Sequence, residues 1–525
     1  MQRPLGAQIS HMLKDRGVDV IFGIPGVHNQ EMYRGLAEAG LTHVLARHEQ
    51  GAGFMADGYA RATGSPGVAY VITGPGITNI MTPMGQAYSD SVPLLVISSC
   101  LDETAARRGQ LHQMKDQRAA AETVCDWSEV ARTPEAAYAL IDRALCEFVA
   151  GRRRPKAIHV PIAALEALAP NARPFGELHG LLPQPAPSDI AVLAQALRSA
   201  KKPLFIFGGG AQWIDFAGPV LRRWNVASFT TYAARGVVPP DDPLCFGSYL
   251  ARPGSADVLA TADLVVVFGS ELSETDLWRD RLGASVPIIQ VDIDPEVLAK
   301  EGPPIHADAF SVFEALSEAV PEVLKTEWKP EHVHSFRSRC RAEVDAERPG
   351  IVPVCDALRD CLPEGTMIYS DMTQFAYAAK EVWDMEQPGH WHHPTGFGTL
   401  GYATPAAIGG AVGRPGLPTM AIIGDYGFHY TMAELGVAVE LGLSLPIILW
   451  DNGKLKEIEE SMVRAQIAPN AVVARNPDFC KLAEAFGART AAPKTLSQMQ
   501  QAVRGAFEAN GPTLIYLTPE IGSAP

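Results

Sequence analysis

The sequence predicts an α/β fold of about three domains, each carried on a parallel sheet. Short β-branched runs recur along the whole chain, each followed by a helix-like pattern. Those runs are apolar without alternation, as strands buried on both faces are. At 525 residues, 47% of them hydrophobic, the chain is long enough for several separate cores.

The strands are expected at "GVDVIFGIPG", "GVAYVITGPG" and "PLLVISS" near the start, and at "KPLFIFGGG", "ADLVVVFGS" and "VPIIQVDID" in the middle. Near the end they are expected at "GTMIYSD", "TMAIIGD", "LPIILWDN" and "PTLIYLT". Between them, "PGVHNQEMYRGLAEAG" and "TMAELGVAVELG" have the apolar spacing of helices packing one face on a sheet. Alternation of the two patterns gives the α/β class. Proline-rich stretches at 181–189 and 348–354 read as linkers that divide the chain into thirds. The first and last thirds share a rhythm of strands ending in glycine-containing turns.

Composition excludes several functions. With 44 Lys and Arg against 59 Asp and Glu, the net charge of −15 offers no basic field to nucleic acid or to an anionic membrane. The first residues lack the apolar core of a signal peptide, and no run reaches the about 18 uncharged apolar residues of a membrane span, so a cytoplasmic protein is expected. Eight scattered cysteines with no C-x-x-C pair read as reduced thiols, neither a zinc site nor a disulfide framework.

In "TMAIIGDYGF" an apolar strand ends at Gly424 and Asp425 and a helix follows; "LPIILWDN" ends the same way at Asp451 and Asn452. Groups at the carboxyl end of a parallel strand face the crevice where α/β proteins bind cofactors, and the next helix offers N–H groups to an anion. If the two strands are neighbours, Asp425 and Asn452 share a rim and can hold one hard cation. Mg²⁺ suits one or two protein oxygens completed by phosphate oxygens and water.

This stretch resembles the thiamine diphosphate motif of the enzymes that include acetolactate synthase and pyruvate decarboxylase. Tyr426 stands where that motif has glycine, and Asp451 where it has the first of two asparagines. The resemblance implies a metal held by Asp425, Asn452 and the backbone carbonyl of Lys454, with Gly424, Tyr426 and Gly427 beside the cofactor. Three further segments match. "ARHEQGAGFMADGYARATG" resembles the family's glutamate segment, and "GIPG" (23–26) and "TGPGITN" (73–79) resemble the other two loops of its pyrimidine domain, which nominates Glu49, Pro25, Gly74 and Asn79. Glu49 would be the acid that protonates the cofactor's pyrimidine ring so that its reactive carbon can lose a proton, in an apolar pocket favouring the neutral form. In "HPTGFGTLGYATPAAIGG" (393–410), Leu400 would wedge the two cofactor rings together and backbone groups of Gly398 and Leu400 would hold the pyrimidine. "MIYSDMTQ" nominates Thr373 and Gln374 for the diphosphate.

The resemblance also implies three doubly wound parallel-sheet domains: pyrimidine-binding (1–180), central and Rossmann-like (188–345) and diphosphate-binding (350–525). Cofactor sites would lie between subunits of a homodimer or homotetramer. In the central third, Gly208, Gly209 and Gly210 do not form G-x-G-x-x-G, which argues against FAD.

Substrate choice is less legible. In "GQLHQMKDQ" (109–117), His112 and Gln113 are candidates for the carboxylate and carbonyl of a 2-oxo acid. After the metal asparagine comes Glu457, where pyruvate decarboxylases carry a catalytic glutamate nearby. Together with "SELSETDLW" and "LHQMKDQR", the pattern is most similar to the 5-guanidino-2-oxopentanoate decarboxylase branch, whose guanidinium Glu457 or Glu274 could pair. That branch has Gly-Tyr-Gly where this chain has Lys454, Leu455 and Lys456, two added cations. The alternatives are an acetolactate synthase-like carboligase and a cofactor-binding paralogue without turnover.

Overall fold

The computed structural model describes residues 2–102, 108–174, 182–298 and 303–523. The expected domain limit at 180 and the first residue of the 181–189 stretch fall outside them. Among the described residues the chain forms three large sheets whose strands all pair in parallel, each flanked by helices, and a two-stranded antiparallel ribbon of Arg3–Pro4 with Leu168–Ala169.

The first sheet comprises β1 (Val20–Gly23), β2 (Thr42–Leu45), β3 (Gly67–Val71), β4 (Leu94–Cys100), β5 (Trp127–Val130) and β6 (Lys156–Pro161), in the order β2-β1-β3-β4-β6-β5. The central sheet comprises β7 (Pro203–Phe207), β8 (Ala227–Thr230), β9 (Leu264–Phe268), β10 (Ile288–Asp292) and β11 (Pro304–His306), ordered β8-β7-β9-β10-β11. The third comprises β12 (Met367–Ser370), β13 (Trp391–His392), β14 (Thr419–Gly424), β15 (Pro446–Trp450), β16 (Arg489–Ala491) and β17 (Thr513–Leu517), ordered β13-β12-β14-β15-β17-β16. The first and third sheets therefore share one topology: second, first, third, fourth, sixth, fifth. Their common rhythm in the sequence is a common winding in space.

In such a sheet the order reverses between the first and third strands, and the crevice at that reversal is where ligands bind. In the first sheet it lies between β1 and β3, which lead into "GIPG" and "TGPG"; in the third it lies between β12, followed by Asp371, and β14, which ends at Gly424. These four strands are fully buried, as unbroken apolar runs require.

Two helices join these sheets. Helix α1 (Glu49–Thr63) follows β2 and α2 (Pro75–Asp90) follows β3; α3 (Pro330–Glu347) follows the central sheet. In the third domain come α4 (Gln374–Val382), α5 (Ala403–Gly413), α6 (Asp425–Thr431) and α7 (Lys456–Arg464). Helices α1 and α5 cross with backbones touching: a Cβ on Gly58 would overlap the Ala406 carbonyl, and one on Gly409 the Met55 carbonyl. Their side chains merge the two domains into one core that includes Met55, Ala56, Ala406 and Ile408. A buried polar knot pins the crossing: Asp57 accepts from Arg61 at 2.7 Å and from the Tyr402 hydroxyl at 2.8 Å, and Arg61 reaches Asp90 at 2.8 Å. The central domain packs on the third through Phe246, Phe336 and Phe375.

Two local expectations change. "PGVHNQEMYRGLAEAG" is not one helix but two short ones, Gln30–Arg34 and Leu36–Ala39, broken at Gly35, where the chain lies against the backbone of Ala7. The 348–354 stretch is no linker, since a helix, Ile351–Arg359, begins inside it with Val352, Val354 and Cys355 buried. All eight cysteines are free thiols, and none of the described helices is long and apolar enough to cross a membrane.

The crossing yields a test. Gly409→Ala should drive α1 and α5 apart and destabilise the protein by about 1–3 kcal/mol. Gly505→Ala, in open space on the helix Leu496–Phe507, should be neutral or stabilising by up to about 1 kcal/mol. Thermal midpoints of the two variants measure the contrast.

Candidate active site

On the third-domain rim, Gly424 of β14 is registered against Trp450 of β15, so Asp425 and Asp451 follow side by side. One amide spans the two strand ends: Asn476 Nδ2 donates to Asp425 Oδ2 at 2.7 Å and to Asp451 Oδ1 at 2.9 Å. Burial pushes the Asp425 carboxyl up to about 6; the Asn476 amide opposes the rise and the Asp451 carboxylate adds to it. After Asp451 the chain turns tightly, Gly453 N–H donating to Asp451 Oδ1 at 2.9 Å and Lys454 N–H to Asn452 Oδ1 at 3.2 Å. Gly453 has φ 70°, left-handed backbone that favours glycine. Tyr426 has no such backbone, so its position accepts a side chain.

Thr373 begins α4 as an N-cap that makes no side-chain capping bond, and it lies beside Gly424, where a Cβ would come within 3.2 Å of its Oγ1. Gln374 is the first residue of α4, and α4 and α6 both start on this rim. Helix starts present N–H groups and a positive dipole end to an anion. Gly398 is exposed with φ 67° and Leu400 is half-buried. The loop they share is anchored by Asp371, whose Oδ2 accepts the Gly401 N–H at 2.8 Å. Burial raises the Asp371 carboxyl to about 7 against four backbone N–H groups that lower it.

On the first-domain rim, Glu49 opens α1, buried, and Asn79 Nδ2 donates to its Oε2 at 2.9 Å. Pro25 is exposed on the loop after β1. Gly74 has φ 71°, its N–H donates to Gln117 Oε1 at 3.0 Å, and a Cβ there would overlap the carbonyl of His112. Gln113 Oε1 accepts from Gln110 N–H at 3.2 Å within its own turn. The structure thus gathers Glu49, Asn79, Pro25, Gly74 and His112 on one rim and Thr373, Gly424, Asp425, Tyr426, Gly427 and Asn452 on the other.

Residues 3–120 match the thiamine pyrophosphate enzyme N-terminal TPP binding domain, 190–316 the central domain and 371–517 the C-terminal TPP binding domain. The probable 2-ketoarginine decarboxylase AruI of Pseudomonas aeruginosa is 40% identical over 98% of this chain and 93% of its own. The chain belongs to the thiamine pyrophosphate enzymes. Acetolactate synthase large subunits are more distant: 28% for that of Pyropia yezoensis over 95% of this chain and 89% of its own, and 27% for isozyme 1 of Escherichia coli over 98% and 94%.

The residues present fit this family's cofactor. Asp425 and Asn452 offer hard oxygen donors beside two helix starts, and among the described residues no three His, Cys, Asp or Glu side chains form a metal cage of their own. A cation there would complete its shell with amide, carbonyl, phosphate and water oxygens. The two lysines that follow Asn452 are already paired: Lys454 with Glu459 at 2.9 Å, and Lys456 with Glu459 at 3.2 Å and Glu460 at 3.3 Å. Glu457 is engaged by Arg348 at 3.3 Å. In the central domain, Gly208 and Gly210 pack tightly on Gly269, so these glycines serve a close approach of one chain segment to another.

Several residues escaped the sequence reading. Asn476, Asp371, Gln117 and Glu434 hold other residues in place, and no motif marks such a role. Asp371 and Gln117 do stand inside the quoted segments "MIYSDMTQ" and "GQLHQMKDQ", where polar residues next to nominated ones were the available signal. Glu434, buried on the third domain, accepts the backbone N–H groups of Arg47 at 3.1 Å and His48 at 3.0 Å, directly before Glu49.

Burial raises the Glu434 carboxyl from 4.5 to about 7, with Arg47 and the two N–H groups opposing and Glu49 adding. The native chain therefore binds a proton that the unfolded chain has lost between about pH 4.5 and pH 7, and stability falls as pH rises through that window. Glu434→Gln, which keeps an acceptor oxygen and cannot ionise, should gain on the wild type from pH 5 to pH 8 by on the order of 1–3 kcal/mol. The difference in thermal midpoint at the two pH values is the measurement.

Proposed function

We propose that this thiamine pyrophosphate enzyme decarboxylates a 2-oxo acid without oxidation, releasing CO₂ and an aldehyde, and that its substrate carries a guanidino group. The likeness to the probable 2-ketoarginine decarboxylase over nearly the whole chain carries this reading. The guanidino assignment rests on that likeness, since Glu457, the carboxylate nominated for the guanidinium, is engaged by Arg348. Pairing of Lys454 and Lys456 with glutamates removes the two cations that would oppose such a substrate.

Domains of 1–180, 188–345 and 350–525 would place one cofactor between the pyrimidine domain of one subunit and the diphosphate domain of another, in a homodimer or homotetramer in the cytoplasm. Asp425, Asn452 and the Lys454 carbonyl would hold Mg²⁺, and Thr373, Gln374 and the rim glycines the diphosphate. Pro25, Gly74 and Asn79 would line the pyrimidine side, Leu400, half-buried, would be the wedge under the cofactor, and backbone groups of Gly398 and Leu400 would hold the pyrimidine. Thiamine diphosphate supplies the electron sink for the carbon left by CO₂. Glu49 holds the proton at the pyrimidine nitrogen, and Asn79 fixes its carboxyl. His112 and Gln113 orient the substrate's carboxylate and carbonyl. The acetolactate synthases at 27–28% identity favour a second reading, a carboligase that joins the decarboxylated acid to another carbonyl.

A screen of 2-oxo acids with thiamine diphosphate and Mg²⁺ supplied should release CO₂ and aldehyde, most readily from a guanidino 2-oxo acid; a carbon–carbon product from pyruvate in their place selects the carboligase. Glu49→Gln should lower the rate by about 10²–10⁴-fold while calorimetry shows cofactor binding largely kept. Asp425→Ala should instead lose cofactor affinity, and unchanged affinity would remove Asp425 from the metal site.

A further inference from the structure

His28 lies on the loop after β1 and His112 on the loop after β4, and their rings meet edge-on, centroids 4.9 Å apart and planes at 68°. Strand β3 separates β1 from β4 in the sheet, so the contact bridges over the Gly74 turn, against which the His112 carbonyl lies. His112 has left-handed backbone, φ 62°, a conformation that non-glycine residues adopt seldom and that clusters at functional sites. In both rings Nδ1 is buried and, among the described residues, has no hydrogen-bond partner. Such an atom is left for a group the chain does not itself supply.

From this juxtaposition, and resting on the decarboxylase reading, we infer that His28 and His112 form one acid–base pair that holds a single proton and delivers it to the substrate through His112. His28 is the positioning residue of the pair. Decarboxylation breaks the bond between the carbonyl carbon and the carboxylate carbon, releases CO₂ and places one proton on the former carbonyl carbon. One proton is therefore consumed per turnover, given by the pair and restored to it from water.

Two imidazolium rings in contact repel, so the pair can take up at most one added proton. His28 titrates below the ordinary histidine value, first through burial and then through His112. The other charges around the pair are committed or exposed. Glu31, on the short helix Gln30–Arg34, is held by Arg34 at 2.6 Å; Asp116 accepts the Ala119 N–H at 2.9 Å; Glu49 is bound by Asn79; Arg108 and Lys115 are exposed.

The test reads titration and turnover separately in the full-length holoenzyme. The pH dependence of His28 modification by diethyl pyrocarbonate, followed by peptide mass spectrometry, should move to higher pH in His112→Asn, asparagine being tolerated in left-handed backbone. His28→Phe keeps a ring against His112 but cannot titrate, so a packing role would survive it. It should lower kcat for CO₂ release about tenfold or more, with KM within a few-fold and a changed pH profile. An unmoved His28 titration in His112→Asn, or a wild-type kcat and pH profile in His28→Phe, overturns the inference. If no 2-oxo acid yields CO₂ with the wild type, the decarboxylase reading fails, and the inferred proton delivery is overturned with it, even where the His28 titration moves as expected.

Discussion

The crossing of α1 and α5 at Gly58 and Gly409 is the contact on which the rest of the structure depends. Helix α1 carries Glu49 at its start, and α5 continues directly from the loop that holds Gly398 and Leu400. Backbone contact without side chains between them leaves little freedom to slide or rotate, because any Cβ at those glycines would meet a carbonyl. The Asp57, Arg61, Asp90 and Tyr402 knot fixes the same crossing electrostatically. A buried set of charges of this kind holds register, since breaking any one member would strand the others without partners.

Around that crossing, buried carboxylates serve as anchors for backbone. Asp371 collects the N–H groups of the glycine loop on one rim, and Glu434 those before Glu49 on the other. Each sits where desolvation raises its titration to about 7. Such an anchor is strained by its own charge, and its tolerance of that charge depends on the number of N–H groups it keeps. The same logic operates at Asp425 and Asp451, whose neighbouring carboxylates are held by one shared amide, Asn476.

The repeated winding of the first and third sheets explains why motifs so far apart in sequence look alike in kind. In both, the loops after the first and third strands open onto the crevice where strand order reverses. Gly74, on the loop after the third strand of the first sheet, and Gly398, on the loop after the second strand of the third sheet, both have positive φ. The central sheet reverses between its first and third strands too, but there Gly208 and Gly210 pack against Gly269 of the neighbouring strand end.

The sequence by itself determined the α/β class, most of the strands and the motif residues at their ends, because burial of a parallel strand and the turn after it are written in contiguous residues. Helix breaks at Gly35 and inside 348–354 were not legible there, since each answers to a neighbour's backbone or core. Only the tertiary structure decided that Asn476 joins Asp425 to Asp451, that Arg348 occupies Glu457, that Glu434 steadies the approach to Glu49, and that His28 meets His112. These pairs lie 25 to 387 residues apart, and no local pattern can encode them. They exist because the fold brings distant segments together, and the folded backbone alone sets which side chains meet.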